Sequence, residues 1–190
     1  MTDARNLPLF AWGDALRAAR LRRRLLRRRA LVLGAGIAAL NLTLVFPPVP
    51  RLVWNHSASA PVGLYLVSPG ATLVPGDMVI AWPPEPARSL AARRHYLPSG
   101  VPLVKRVAGA AGDTVCAHAD TVTIDGQTVA RRLAADPSGR PLPRWEGCLR
   151  LRQGNYFLLM TRRTDSFDGR YFGMTRESDI LGKARALWLP

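Results

Sequence analysis

An arginine-rich segment that leads directly into an uncharged apolar stretch constrains this chain more than any other feature. Residues 1–29 contain nine arginines against two aspartates and carry half of the formal net charge of +14. Residues 30–46 contain no charged side chain, and their polar members are Asn41 and Thr43. As a helix this stretch measures about 25 Å, slightly less than a hydrocarbon core of ~30 Å. The pattern therefore predicts one transmembrane helix over residues 30–46.

The charge asymmetry also predicts an orientation for this helix. Arginines are retained on the cytoplasmic side of a membrane, so we expect residues 1–29 in the cytoplasm and residues 47–190 on the outer side. Pro47, Pro48 and Pro50 predict a stiff exit from the membrane. A cleaved signal peptide, a buried core helix and a nucleic-acid-binding arginine arm are alternative interpretations. The arginines adjoin the apolar stretch instead of alternating with it, which favours the anchor.

Short apolar segments separated by Gly, Pro and Asp follow the helix and predict a mainly β domain. The Asp125-Gly126 pair is typical of a two-residue hairpin turn. Residues 83–98 predict one short surface helix between prolines, and residues 132–148 predict an irregular excursion. The predicted strands are 63–67, 78–82, 103–107, 121–124, 156–160 and 184–189.

The two cysteines, Cys116 and Cys148, have no spacing typical of a metal or redox site. In an exported domain they can pair and close a loop of about 30 residues, a contribution of roughly 3–4 kcal/mol to stability. Two unpaired buried thiols are the alternative. The sequence contains no glycine-rich phosphate loop and no cluster of metal ligands, so we expect no cofactor and no metal.

Lys105 is the residue that points most directly to chemistry. It lies in an apolar run in which Leu103 and Val107 share its face by two-residue alternation, whereas Arg106 faces the other side. Burial lowers the pKa of a lysine, and a neutral amine can take a proton from a serine. The pattern predicts a Ser/Lys dyad. A solvent-facing lysine on an edge strand is the alternative.

Ser59 is the candidate nucleophile of this dyad, and Pro61 restricts the backbone that presents it. Ser57 lies two residues earlier, where its hydroxyl can join the Ser59 backbone N–H in an oxyanion hole. A plain loop serine is the alternative interpretation of Ser59. The three histidines offer a less favoured alternative, a Ser-His-Asp triad.

A third cluster, residues 166–173, combines a hydroxyl, a carboxylate and a guanidinium. Asp168 and Arg170 lie on one face by alternation, so we expect them to pair and to fix the loop that carries Ser166. A purely structural ion pair is the alternative.

Five sequence segments, taken together and in this order, are similar to motifs of one protein family. They are residues 55–65, 76–79, 96–107, 112–115 and 166–173. In this combination the chain resembles the type I signal peptidase family and specifically its conjugative-transfer branch, the TraF-type peptidases. The resemblance covers the anchor and nearly all of residues 54–188. Residues 160–165, which replace the Gly-Asp-Asn segment of housekeeping enzymes, favour the conjugative branch.

The resemblance implies a signal-peptidase-like antiparallel β catalytic domain with a short inserted helix, preceded by one N-terminal transmembrane helix. It implies that Ser59 is the nucleophile and Lys105 the general base, and in this branch Asp168 also has a catalytic role. The supporting residues that it implies are Ser57 in the oxyanion hole, Ser166 as the hydroxyl that orients the lysine, and Arg170 as the partner of the aspartate.

The expected activity is that of a membrane-bound serine endopeptidase of the bacterial cytoplasmic membrane, with its catalytic domain in the periplasm. Its expected partners are membrane lipid and an exported, pilin-like precursor cut after small residues, and an internal amine can then yield a cyclic pilin. No nucleic acid is expected. A general type I signal peptidase, a non-catalytic pilus or envelope assembly protein and a nucleic-acid-binding protein are the alternatives.

Overall fold

The computed structural model describes residues 8–46 and 49–190. It divides into two compact units, one up to Pro48 and one from Val49 onward, and each is described by itself. The first seven residues and the predicted proline exit at Pro47 and Pro48 lie outside the described residues.

The described part of the first unit is almost entirely one helix, α1 (Pro8–Val45). It begins well before the predicted limit at residue 30, because arginine, leucine and alanine all favour helix and nothing in the arginine segment interrupts it. Its apolar side chains face outward, with Leu31 74% and Leu44 79% exposed. Asn41 and Thr43 donate their side-chain hydrogen bonds back to carbonyls of the same helix. In length and composition the helix is compatible with a single-pass membrane or signal anchor.

The second unit is mainly β, as predicted, and its larger sheet is antiparallel throughout. Its seven strands lie in the order β1-β2-β11-β3-β4-β9-β10. Their bounds are β1 (Leu52–Asn55), β2 (Gly63–Ser68), β3 (Met78–Ala81), β4 (Leu103–Gly109), β9 (Asn155–Leu159), β10 (Thr175–Arg176) and β11 (Ile180–Trp188).

The smaller sheet has four antiparallel strands in the order β7-β6-β5-β8. Asp125 and Gly126 connect β6 to β7 as predicted, and both have positive φ, which the turn requires. Three of its strands were not predicted, because they are short, half exposed and rich in polar residues. The bounds are β5 (Thr114–His118), β6 (Thr121–Ile124), β7 (Gln127–Arg131) and β8 (Gly147–Arg150).

Two short α-helices and a 3-10 helix (Glu177–Asp179) complete the domain. The predicted surface helix is α2 (Glu85–Arg93), and α3 (Gly169–Phe172) follows the loop after β9. The excursion predicted over residues 132–148 is irregular up to the start of β8 at Gly147. The last strand begins at Ile180 instead of residue 184, since Gly182 and Lys183 also pair with β3.

The centre of the larger sheet fixes the position of the residues discussed below. β4 pairs with β3 on one side and with β9 on the other. Val104 packs into one apolar cluster of the core and Val107 into another. Because this strand is held by two neighbours and the side chains of Val104, Lys105 and Val107 are buried, these side chains have little freedom to move.

Candidate active site

The loop between β1 and β2 carries two serines and is organised by Asn55. The Asn55 side-chain amide donates toward the carbonyls of Ser57 (3.1 Å), Ala60 (3.2 Å) and Pro61 (2.9 Å), and its oxygen accepts from the Ser57 N–H. The Tyr65 hydroxyl donates to the Pro61 carbonyl at 2.7 Å. These bonds satisfy loop carbonyls that no sheet pairing reaches, so they hold the loop in one shape.

Ser57 and Ser59 face each other inside this loop. Their hydroxyl oxygens are 3.1 Å apart, and the Ser59 N–H points to the Ser57 hydroxyl at 3.4 Å. The Ser57 hydroxyl and the Ser59 backbone N–H therefore lie close together beside the Ser59 hydroxyl. Both can donate to an oxygen that becomes negative when Ser59 attacks a carbonyl.

Lys105 approaches Ser59 from the middle of β4. Its Nζ donates to Ser59 Oγ at 2.9 Å and to Ser166 Oγ at 2.8 Å. The lysine is 1% exposed, whereas Arg106 is exposed on the opposite face, as the alternation predicted. The structure thus brings together three side chains that lie 46 and 61 residues apart in sequence.

Burial sets the protonation of this lysine. Loss of hydration lowers the pKa of Lys105 from 10.5 to about 8, and the nearby charge of Arg170 acts in the same direction, whereas Asp168 and Asp165 oppose it. A substantial fraction of the amine is therefore neutral in mildly alkaline solution. A neutral amine in contact with a serine hydroxyl is a candidate general base.

The predicted pair of Asp168 and Arg170 is formed and fully buried. The Asp168 carboxylate accepts from the Arg170 side chain at 2.8 and 3.2 Å and from the Met160 N–H at 3.0 Å. Arg170 also donates to the carbonyls of Met160 and Thr164. Asp168 therefore fastens the loop that carries Ser166, and it influences Lys105 through its charge, since its hydrogen bonds go to other groups.

Gly169 is required by this close packing. A Cβ at this position would lie 2.8 Å from the Leu158 carbonyl oxygen and 2.9 Å from the Phe157 ring. Contacts this short are essentially never made by real side chains, so any larger residue would push the start of α3 away from β9. The buried Asp168–Arg170 pair would move with it.

An apolar pocket of about 290 Å³ opens beside Ser59 and Lys105. Leu97, Leu103, Phe167 and Tyr171 form its floor and walls, and part of the irregular excursion (Leu133, Asp136, Pro137 and Leu142) closes one side. Such a pocket is suited to apolar side chains of a bound peptide.

Asp136 holds the excursion against the rest of the pocket. It accepts from the Tyr96 hydroxyl, from the Ser138 N–H at 2.9 Å and from the Arg140 side chain at 2.7 Å. Burial opposes its ionisation, but the hydrogen bonds from Tyr96 and Arg140 hold the pKa of Asp136 well below its ordinary value. The carboxylate is therefore ionised at neutral pH and keeps this wall in place.

The cysteines lie apart from this centre, and the histidines do not take part in it. Cys116 on β5 and Cys148 on β8 are directly paired in the smaller sheet and are joined by a disulfide. In the described part of the chain, no histidine is a hydrogen-bond partner of Ser59. The Ser-His-Asp alternative has no contact to support it.

Sequence reasoning did not assign roles to Asn55, Tyr65, Tyr96 or Asp136. All but Asp136 lie within the segments that carried the family resemblance, and this was the sequence feature that could have indicated a role for them. Their contacts join residues across loops whose conformation is not periodic, so alternation could not indicate them. No sequence feature indicated a role for Asp136, because the excursion that contains it has no recognisable pattern.

Comparison with known proteins gives a family and several relatives. The family model described as signal peptidase, peptidase S26, matches residues 23–189. The chain is 37% identical over 137 residues to a plasmid transfer protein TraF of Escherichia coli, covering 67% of this chain and 77% of the relative. It is 34% identical over 168 residues to another Escherichia coli plasmid transfer protein TraF, covering 83% and 93%.

A solved signal peptidase I from Enterococcus faecalis V583 is a more distant likeness. The TM-score is 0.35 at 21% identity, and the match covers 60% of this chain and 97% of that one.

Proposed function

Because this chain belongs to the peptidase S26 signal peptidase family, we propose that it is a membrane-bound serine endopeptidase with a Ser59/Lys105 dyad. The observation that carries the proposal is the 2.9 Å contact between Lys105 Nζ and Ser59 Oγ, made by a lysine that is almost completely buried. Such a lysine supplies the base that serine needs, and no histidine is required.

The reaction follows from the positions of these groups. Neutral Lys105 takes the proton of the Ser59 hydroxyl while Ser59 Oγ attacks the scissile carbonyl. The Ser57 hydroxyl and the Ser59 N–H donate to the resulting oxyanion. The tetrahedral intermediate collapses, the peptide C–N bond breaks, and the ammonium of Lys105 returns its proton to the leaving amine. An acyl ester on Ser59 remains.

Water or an amine then resolves the acyl ester, with Lys105 again accepting the proton of the attacking group. Attack by water releases a linear product with a new carboxyl terminus. Attack by the N-terminal amine of the same acyl chain would form a peptide bond and a cyclic product. The relatives named as plasmid transfer proteins support a pilin-like precursor of a conjugation apparatus as the substrate.

The position of the domain relative to the membrane forms part of this proposal. The arginines of α1 favour a cytoplasmic N-terminus and hence a periplasmic domain. The disulfide between Cys116 and Cys148 supports an oxidising compartment. The domain also exposes Trp54 and Trp188, whose rings lie 5.6 Å apart, and tryptophans of this kind are favoured at a lipid interface.

The test is processing of a candidate pilin precursor by the full chain in membranes, followed by mass spectrometry of the product. Ser59→Ala and Lys105→Ala are each expected to abolish processing without loss of membrane insertion. Lys105→Arg is expected to be inactive too, because a guanidinium does not lose its proton at usable pH. Normal processing by any of these variants would exclude the dyad.

The mass of the product also distinguishes the two outcomes of the acyl ester. A cyclic product is one water lighter than the linear product of the same cleavage. Protection of residues 49–190 from protease added to intact spheroplasts would contradict the periplasmic location.

A further inference from the structure

A second cavity meets the apolar pocket at Ser59. We call it the arginine groove; it has a volume of about 720 Å³, and its lining includes Pro61, Arg106, Met160, Arg162 and Arg163. The two cavities share Ala58, Ser59 and Arg163. A peptide attacked by Ser59 must extend in both directions from the scissile bond, and the two cavities offer separate space for the residues before and after the cut.

The charges in the arginine groove are not balanced within it. Arg163 is paired with Asp165 at 2.9 and 3.0 Å. Arg106 donates to the carbonyl of Gly76 and forms no salt bridge in the described part of the chain, although the carboxylate of Asp77 lies near enough to interact with its charge. Arg162 has no ion-pair partner in the part of the chain that the structure describes, and no described acidic residue lines the groove.

The position of Arg106 follows from that of the lysine. The two residues are neighbours on β4 and face opposite sides, so one strand holds Lys105 in the interior and Arg106 in the groove. A group bound to Arg106 therefore lies on the opposite side of the strand from Lys105. Because β4 lies between β3 and β9, the backbone of Arg106 is held in place.

We propose that the arginine groove binds a carboxylate of the leaving peptide, with Arg106 and Arg162 as its specificity-determining residues. This inference rests on the proposed peptidase function. The apolar pocket suits the small or apolar residues before the cut, which leaves the groove for the residues after it. Its ligand is an acidic side chain of the leaving peptide, since a guanidinium binds a carboxylate through two parallel hydrogen bonds.

The test uses full-length enzyme in detergent and peptides that share one acyl half. The leaving half contains Glu, Gln or Lys at one position, and each peptide ends in a free acid or an amide. We expect kcat/KM to be about tenfold higher for the Glu peptide than for the Gln peptide, a ratio typical of a hydrogen-bonded charge. The ratio should fall toward one in Arg106→Gln, Arg162→Gln and the double variant, and also in high salt.

Two further variants test whether the preference for Glu arises from the arginines of the groove. Arg150→Gln removes an exposed arginine of the smaller sheet and should retain the Glu/Gln ratio. Arg162→Glu should abolish the preference, because the new carboxylate offsets the charge of Arg106 in the groove. Efficient cleavage without any dependence on the leaving-side charge would overturn the proposal.

Binding to the inactive Ser59→Ala variant separates this inference from the proposed function. Fluorescence anisotropy with the same peptides needs no turnover. Tighter binding of the Glu peptide that is lost in Ser59→Ala/Arg162→Gln supports the groove even if the wild type cuts none of the peptides. If Arg106→Gln and Arg162→Gln instead weaken binding to vesicles of anionic lipid and leave peptide binding unchanged, the groove faces lipid and the proposal is wrong.

Discussion

The amine of Lys105 lies 2.8 Å from the hydroxyl of Ser166, a buried residue 61 positions further along the chain. A lysine side chain has four rotatable bonds, and one contact with Ser59 would not fix it. The second contact holds Nζ in the position from which it reaches Ser59. The buried Asp168–Arg170 pair in turn holds the loop that carries Ser166.

Ser166→Ala should lower kcat by about ten- to a hundredfold with little change in KM, because it removes orientation of the base and no substrate contact. Steady-state kinetics on one peptide substrate measures both constants. Ser99→Ala, at an exposed position before β4, is the matched control and should behave as the wild type. A rise in KM alone would assign Ser166 to substrate binding.

The activity should rise with pH through the pKa of Lys105, which is about 8. The reactive form is the neutral amine, so kcat/KM should increase about tenfold between pH 7 and pH 9 and then level off. A peptide without ionisable side chains avoids titration of the substrate. A rate that is constant across this range would mean that Lys105 is not the base.

Lys105→Met should be inactive but more stable than the wild type at neutral pH. Below pH 8 the lysine is protonated in both states, and its buried charge costs the folded state about 3 kcal/mol. Between pH 8 and 10.5 the unfolded chain binds more protons than the folded one, so wild-type stability rises with pH. The advantage of the variant should therefore shrink across that window in urea unfolding; an advantage that does not depend on pH would contradict a depressed pKa.

Asp168→Asn should destabilise the domain by about 3–5 kcal/mol, since it leaves the buried charge of Arg170 without a partner. Asp168 also raises the pKa of Lys105, so the pH at which the remaining activity is half-maximal should move down. Urea unfolding and a pH–rate profile measure the two effects. A variant with wild-type stability and no activity would instead support a direct catalytic role for Asp168.

Asn55→Asp should lower kcat by about a hundredfold, because it replaces the amide donor that the carbonyls of Ala60 and Pro61 require and displaces Ser59. Tyr65→Phe removes one bond to the same loop and should have a smaller effect in the same direction. Steady-state kinetics measures kcat and KM separately. A fall in kcat with unchanged KM indicates a displaced loop, whereas a rise in KM indicates a lost substrate contact. Equal losses in the two variants would show that Asn55 has no special part in holding the loop.

The sequence by itself determined the local features of this protein. The arginine segment and the apolar run predicted the helix, although its start at Pro8 lies earlier than expected, and alternation predicted that Lys105 and Arg106 face opposite sides. The ordered segments identified the family that the comparisons then gave. The catalytic roles of Ser59, Lys105 and Asp168 stay predictions.

Only the tertiary structure decided which groups meet. Two-residue alternation predicts that Lys105 and Arg106 lie on opposite faces of the strand. Which face is buried depends on β3, β9 and the loops that pack there. The same holds for Asn55, whose partners lie along an aperiodic loop, and for Asp136, which binds Tyr96 from 40 residues away. The physical reason is that local propensity acts over a few residues, whereas desolvation and hydrogen bonding depend on every segment that reaches the same point in space.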